Sequence, residues 1–283
     1  MARRFNDGVG PVTDELLATT PVDGAQIAYR RVGNGPPLLV LNGFAATVAD
    51  WDPSFIDGLA SSNELILVDH RGMGESTDNG RPFDIGQLAD DAAHAMETLG
   101  FHRTSVLGWS MGGFVAQILA LQRPDRVNKL VLLSTDPGGT DADLSSTAVW
   151  SQLVDTAGSP QEQARRLLSL LFPSPVAESF YREFGEIVAD ARAMLSPDLV
   201  NRQATAMDEW HHNGVASRLR EIRAPALIAT GTEDIVIPPS NALKLVNAIP
   251  GAWLAQFPRG GHAFMAQYPR PLADLINGFL ALG

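Results

Sequence analysis

The chain has no cysteine. That absence excludes disulfides, thiolate nucleophiles and cysteine-ligated metal sites, and it leaves the compartment open. Basic residues are scarce beside acidic ones: 21 Lys and Arg stand against 32 Asp and Glu, a formal net charge of −11. A surface of that sign repels phosphate backbones and anionic lipid, which argues against nucleic-acid or membrane-surface partners. No apolar run is long enough to span a bilayer, and no apolar stretch of signal-peptide type follows the basic pair in MARRFNDG. The expectation is a soluble, cytoplasmic protein with residues 1–19 as a loose N-terminal tail. Internal repeats and low-complexity tracts are missing too, and no heptad or apolar stripe argues for a particular oligomeric state.

What is present is core-forming material. Of 283 residues 45% are hydrophobic and 19% charged, so the chain is not of the disordered class. From Thr20 to Asp136 strand and helix patterns alternate. Strands are expected at Gln26–Arg31, Leu38–Leu41, Glu64–Val68, Ser105–Leu107 and Lys129–Leu133. Helices are expected at Asp50–Leu59, at Ile85–Leu99 (with Asp84 as N-cap and Gly100 beyond the end), and at Gly112–Gln122. Short continuous apolar runs alternating with helices imply a mostly parallel sheet covered on both faces. The rhythm stops at Pro137. Between there and Glu221 only helical patterns occur, at Gln161–Leu171, Ser179–Met194 and Pro197–Trp210, separated by Pro and Gly. It resumes at Ala226–Thr230, Pro239–Ala248, Ala252–Phe257 and Pro271–Leu280. The expected organisation is an α/β core made of residues 20–136 and 222–283, with residues 137–221 inserted as a helical unit.

One short stretch calls for chemistry rather than packing. LGWSMGG, residues 107–113, places Ser110 between glycines where a strand gives way to a helix. A serine on so tight a turn adopts strained backbone angles, and its Oγ is lifted clear of the sheet. The next backbone N–H, that of Met111, then stands at a helix N-terminus, where negative charge is favoured. A serine hydroxyl is a poor nucleophile without a base. Of the six histidines, His94 and His102 belong to a helix and its exit and read as surface or packing residues. His70, in VDHRGMGES, reads as a turn-shaping residue, and His211 and His212 suit a helix C-terminus. His262, in FPRGGHAF, lies instead in a loop at the carboxyl end of a strand, where ligands gather in parallel sheets, with two glycines to let that loop bend. Asp234, in GTEDIVIP, occupies the matching place after the preceding strand and can hold the imidazole in one tautomer. Asp136, after Lys129–Leu133, is the second candidate acid, and Glu233 diverges from its neighbour. The order Ser110, Asp234, His262 is one of the three orders in which such a triad occurs on unrelated folds.

On these residues the chain resembles the α/β-hydrolase fold superfamily, over about Thr20 to Leu282. The carriers are LLVLNGF (38–44), VDHRGMGES (68–76), GWSMGG (108–113), GTEDIVIP (231–238) and GGHAF (260–264). The motif set is similar to that of small serine esterases, C–C bond hydrolases, lactonases and cofactor-free haloperoxidases. The resemblance implies that residues 137–221 form a cap over the site. It also implies a second oxyanion donor at the backbone N–H of Phe44, after Asn42-Gly43, where the family usually has His-Gly. Asn42 is thus a departure, though the donor is a backbone group. Serine in place of an aspartate nucleophile sets haloalkane dehalogenases and many epoxide hydrolases aside. The absence of proline after Phe44 disfavours the haloperoxidase branch, and Trp109 is shared with a carboxylesterase that releases pimeloyl groups from a carrier protein. The expected activity is hydrolysis of a small-molecule carboxylic ester, with a small or medium apolar acyl or alcohol part, through an acyl-enzyme and without metal or organic cofactor. The alternatives are a lactonase or C–C hydrolase using the same triad, a cofactor-free perhydrolase, or a non-catalytic ligand-binding protein on this scaffold. Trp150, Leu170, Phe172, Met207 and Trp210 are candidates for lining an apolar pocket, or equally for packing within the helical unit.

Overall fold

The computed structural model describes residues 17–18 and 24–282; most of the expected N-terminal tail lies outside the described residues. Eight strands form one sheet in the order β1-β2-β4-β3-β5-β6-β7-β8. They are β1 (Leu17–Ala18), β2 (Ala28–Val32), β3 (Pro37–Leu41), β4 (Glu64–Val68), β5 (Thr104–Trp109), β6 (Val127–Leu133), β7 (Ala226–Gly231) and β8 (Trp253–Phe257). The β1–β2 and β2–β4 pairings are antiparallel, and every pairing from β4 through β3 to β8 is parallel. This is the α/β, mostly parallel architecture expected from the alternating patterns.

The strand sequences explain the two-sided cover. Along β3, Leu39 and Leu41 belong to one buried cluster and Leu38 and Val40 to the other. A period of two with both phases apolar fits a sheet buried on both faces. On the first face lie α2 (Ile85–Thr98), α3 (Met111–Gln122) and α8 (Ser240–Ala248). On the second lie α1 (Pro53–Ala60) and α9 (Pro269–Ala281). Asp84 caps α2 as expected, its side chain accepting from the Gln87 N–H at 2.7 Å. Helix α1 starts three residues later than the periodicity suggests, because Asp52 caps it and Pro53 takes its first position.

Between β6 and β7 the described chain forms helices and no strand. They are α4 (Thr147–Val154), α5 (Pro160–Leu171), α6 (Ser174–Ala193) and α7 (Pro197–Asn213). Helix α4 is not expected from the pattern; it is eight residues long and rests on a Ser146 cap. Helix α6 begins five residues before the expected Ser179, because Pro175 sits in its first turn, where proline is tolerated. This helical segment leaves and rejoins the core at one point. The Val215 N–H donates to the Pro137 carbonyl at 2.9 Å, and Gly138 and Gly214 approach so closely that a Cβ on Gly214 would overlap the Gly138 backbone. Among the described residues no helix is long and apolar enough to cross a membrane.

Candidate active site

Ser110 stands at the junction of β5 and α3 with φ 56° and ψ −121°. A non-glycine residue there is strained, and the surroundings hold it in place. Its N–H donates to the Leu133 carbonyl at 2.9 Å, and its carbonyl accepts from the Gly113 N–H at 2.8 Å and the Thr135 hydroxyl at 2.9 Å. The flanking glycines are there for space. A Cβ on Gly112 would overlap the Leu41 carbonyl, and one on Gly108 would overlap the Gly112 backbone. Met111 is the first residue of α3, so its N–H has no acceptor within the helix.

Asp234 follows β7 and His262 follows β8. Their side chains meet at 2.8 Å, Asp234 Oδ2 to His262 Nδ1, and both residues are buried. The other carboxylate oxygen accepts from the Val236 and Ile237 N–H groups, each at 2.9 Å, so the acid is held in one orientation. A carboxylate facing Nδ1 assigns the proton there and leaves Nε2 as the acceptor of a neutral ring. Trp109 donates its indole N–H to the His262 carbonyl at 3.0 Å and packs beside the imidazole, with centroids 5.5 Å apart. The glycines before His262 act differently from the expectation of a freely bending loop. Neither Gly260 nor Gly261 has positive φ; Arg259 does, at 54°. A Cβ on Gly261 would overlap the Leu171 carbonyl, so close approach of the helical segment, not backbone freedom, requires glycine there.

The loop after β3 carries Asn42, Gly43 and Phe44. Asn42 is fully buried and braced on every side. Its amide donates to the Val68 carbonyl at 3.0 Å, its side-chain oxygen accepts from Trp51 Nε1 at 2.7 Å, and its carbonyl accepts from His70 Nε2 at 3.0 Å. Burial lowers the His70 pKa, outweighing that bond and the nearby Asp91, so the ring is neutral with its proton on Nε2. The His70 side chain therefore braces the loop after β3, whereas the sequence suggests that it shapes its own turn. Burial also pushes the Asp69 carboxyl up to about 6, despite the Val48 and Glu75 N–H groups that favour its charged form. Next to His70 in the chain, Arg71 grips Asp91 through two bonds of 2.7 Å, with both side chains buried.

The other candidates separate. Asp136 is buried but does not meet His262; one of its oxygens accepts from the Gly138 N–H at 2.7 Å and from Trp210 Nε1 at 3.0 Å. The other faces His211 Nε2 at 3.4 Å. His94 lies in α2 and His102 on the exposed turn after it. Trp150 and Met207 line a cavity of about 280 Å³, whereas Trp210 stacks on Phe114 at 4.8 Å and Phe172 on Phe180 at 4.3 Å. One residue escaped the sequence reading. Gln203 of α7, fully buried, accepts the Ala45 N–H at 2.8 Å, while its own Nε2 has no partner. Its signal was a lone amide on an apolar stripe, four residues after Leu199 and four before Met207.

Comparisons with known proteins agree with this architecture. The family model for the alpha/beta hydrolase fold matches residues 36–267. A 2-hydroxy-6-oxononadienedioate/2-hydroxy-6-oxononatrienedioate hydrolase of Burkholderia vietnamiensis is 32% identical over 282 residues, 91% of this chain and 92% of that protein. A putative carbamate hydrolase of Azorhizobium caulinodans is 29% identical over 261 residues, 90% of this chain and 95% of the relative. Among solved structures, a hydrolase of Pseudomonas aeruginosa superimposes with a TM-score of 0.80 at 26% identity, covering 95% of this chain and all of the other. An enol-lactonase of Burkholderia xenovorans, 22% identical, shares the fold with a TM-score of 0.81 over 92% of this chain and 98% of its own. With a family match spanning most of its length, a sheet of the same architecture and relatives covered almost end to end, this chain belongs to the alpha/beta hydrolase fold family.

Proposed function

We propose that the chain is a serine hydrolase that cleaves a carboxylic ester of a small molecule through an acyl-enzyme. The observation that carries the reading is the strained Ser110 at the mouth of β5, together with an Asp234–His262 pair on the two strand ends beyond it. In this reading His262 Nε2 takes the Ser110 proton as Oγ attacks the ester carbonyl. Asp234 stabilises the imidazolium that forms, and His262 then returns the proton to the leaving alcohol. The N–H groups of Met111 and Phe44 hold the oxyanion, each contributing on the order of 10²–10³ in rate. Water activated by His262 completes the cycle. Asn42 in place of histidine leaves this hole intact, since Val68, Trp51 and His70 fix its loop.

The helical segment of residues 137–221 serves as the cap. Its Gln203 fixes the Phe44–Ala45 peptide from above, next to the peptide that supplies the Phe44 donor, and so acts as a positioning residue. The test is hydrolysis of a chromogenic ester series from acetyl to long acyl by wild type and Ser110→Ala, with mass spectrometry for the acyl adduct. Turnover and a Ser110-borne adduct in wild type, both lost in the variant, support the reading; equal rates in the two proteins reject it. Cleavage of a C–C bond is the second reading, favoured by the 32% identical relative whose name specifies a dienedioate, and a diketone substrate in the same assay separates the two.

A further inference from the structure

Helix α7 carries one face across two places of interest. Gln203, at its middle, touches the loop after β3. Met207 and His211, four and eight residues on, line the cavity of about 280 Å³. Eight residues of helix advance about 12 Å, so His211 stands roughly that far along the helix axis from the residue that touches the loop after β3. A second tie binds the cavity to the site: Val236 and Ile237 line it, and their N–H groups hold Asp234.

The polar lining of this cavity is rich in carboxylates, beside the hydroxyls of Ser145 and Thr147 and the rings of His211 and His212. His211 points Nε2 at Asp136 Oδ2, 3.4 Å away, and its ring is held edge-on between Phe114 and Trp150, with centroids 5.8 Å from each. A carboxylate requires a proton on that nitrogen, so a neutral His211 offers Nδ1 as an acceptor. Asp136, Asp143 and Asp208 add carboxylates to the lining, to which the described residues contribute no lysine or arginine. Asp143 is itself engaged by Lys244 and Ser240.

We propose that the His211–Asp136 pair recognises a hydrogen-bond donor, a hydroxyl or an amine, at the far end of the substrate. The cavity's apolar walls, Trp150, Leu153, Met207, Val236 and Ile237, take the carbon chain between that donor and the reacting carbonyl. A carboxylate tail is disfavoured, because it would face Asp136, Asp143 and Asp208, and the Lys244 ammonium beside them is already engaged by Asp143. The chain would thereby differ from its relative named for a dienedioate. The proposal rests on the serine hydrolase reading for the direction in which substrate lies, but not for its test.

That test measures binding to the Ser110→Ala protein by calorimetry, with 1-octanol, 1,8-octanediol, 8-aminooctan-1-ol and 8-hydroxyoctanoate as probes. The diol or the amino alcohol is expected to bind about tenfold tighter than the plain alcohol, and the carboxylate weakest. Adding His211→Phe should bring the margin to within about twofold, whereas adding His211→Gln, which keeps an acceptor, should restore part of it. No margin in the Ser110→Ala protein, an equal margin with His211→Phe, or tightest binding of the carboxylate would overturn the proposal. Wild-type turnover of matching esters, with the tail on either side, is measured separately. Absence of all turnover would sink the hydrolase reading while leaving the binding result to stand or fall alone.

Discussion

The carboxyl edge of the sheet and the helical segment above it hold their polar groups by different means. At the sheet edge much of the holding is done by the backbone. Ser110 is tied through its own N–H and carbonyl, and Asp234 is oriented by two successive main-chain N–H groups. In the helical segment side chains reach down to the core: Gln203 to Ala45, Trp210 to Asp136, Arg202 to Asp78. Backbone placement survives most changes of side chain, provided that no Cβ intrudes. Side-chain placement is exchanged with a single residue. Under the proposed function, the edge suits a fixed reaction and the segment variable selectivity.

The strongest way to break this contrast is at the edge. Asp234→Asn should lower kcat about 10³–10⁴-fold with little change in KM, because an amide cannot hold the imidazole in the required tautomer; a KM effect alone would mean that Asp234 binds substrate instead. Next comes the brace below the edge. Asp91→Ala leaves the Arg71 guanidinium buried without its carboxylate and should cost about 3–5 kcal/mol in denaturant unfolding. Gln203→Leu tests the segment. It should lower kcat roughly ten- to a hundredfold, less than the order of 10²–10³ lost when an oxyanion donor is removed outright, and leave the unfolding midpoint nearly unchanged. A large stability loss with unaltered kcat would make Gln203 a packing residue.

A further effect is in pH dependence. The Asp69 carboxyl is raised from 3.8 to about 6 in the folded protein, so over that interval the folded state binds more protons than the unfolded. Stability contributed by protonated Asp69 is full below about 4 and is lost as pH rises through about 6. Wild type measured against Asp69→Asn should therefore weaken over that window and run parallel to it above. A difference that is flat with pH would show Asp69 to be ionised throughout.

The contrast also governs what could be read from sequence. The placement of Ser110, Asp234 and His262 after strand ends is legible because backbone placement leaves marks in the chain: glycines where a Cβ would collide, and strand patterns that end just before each residue. The glycines beside His262 were noticed for the wrong reason, since crowding against Leu171 leaves the same letter as torsional freedom. Gln203 left no comparable mark. Its partner lies 158 residues away, and a buried amide on a helix looks like any interruption of an apolar stripe. Helix α4 is not legible because eight residues carry too little periodicity, and the start of α6 is hidden because proline in a first turn reads as a break.

The touching glycines at positions 138 and 214 carry a consequence for how such a protein can be rebuilt. From the point of view of the sheet, everything between them is a loop whose two stems already meet. Replacing that interval by another chain with the same two stems asks nothing new of β6 or β7. Under the proposed function, a graft there would change which guest is admitted and leave the reaction below it in place.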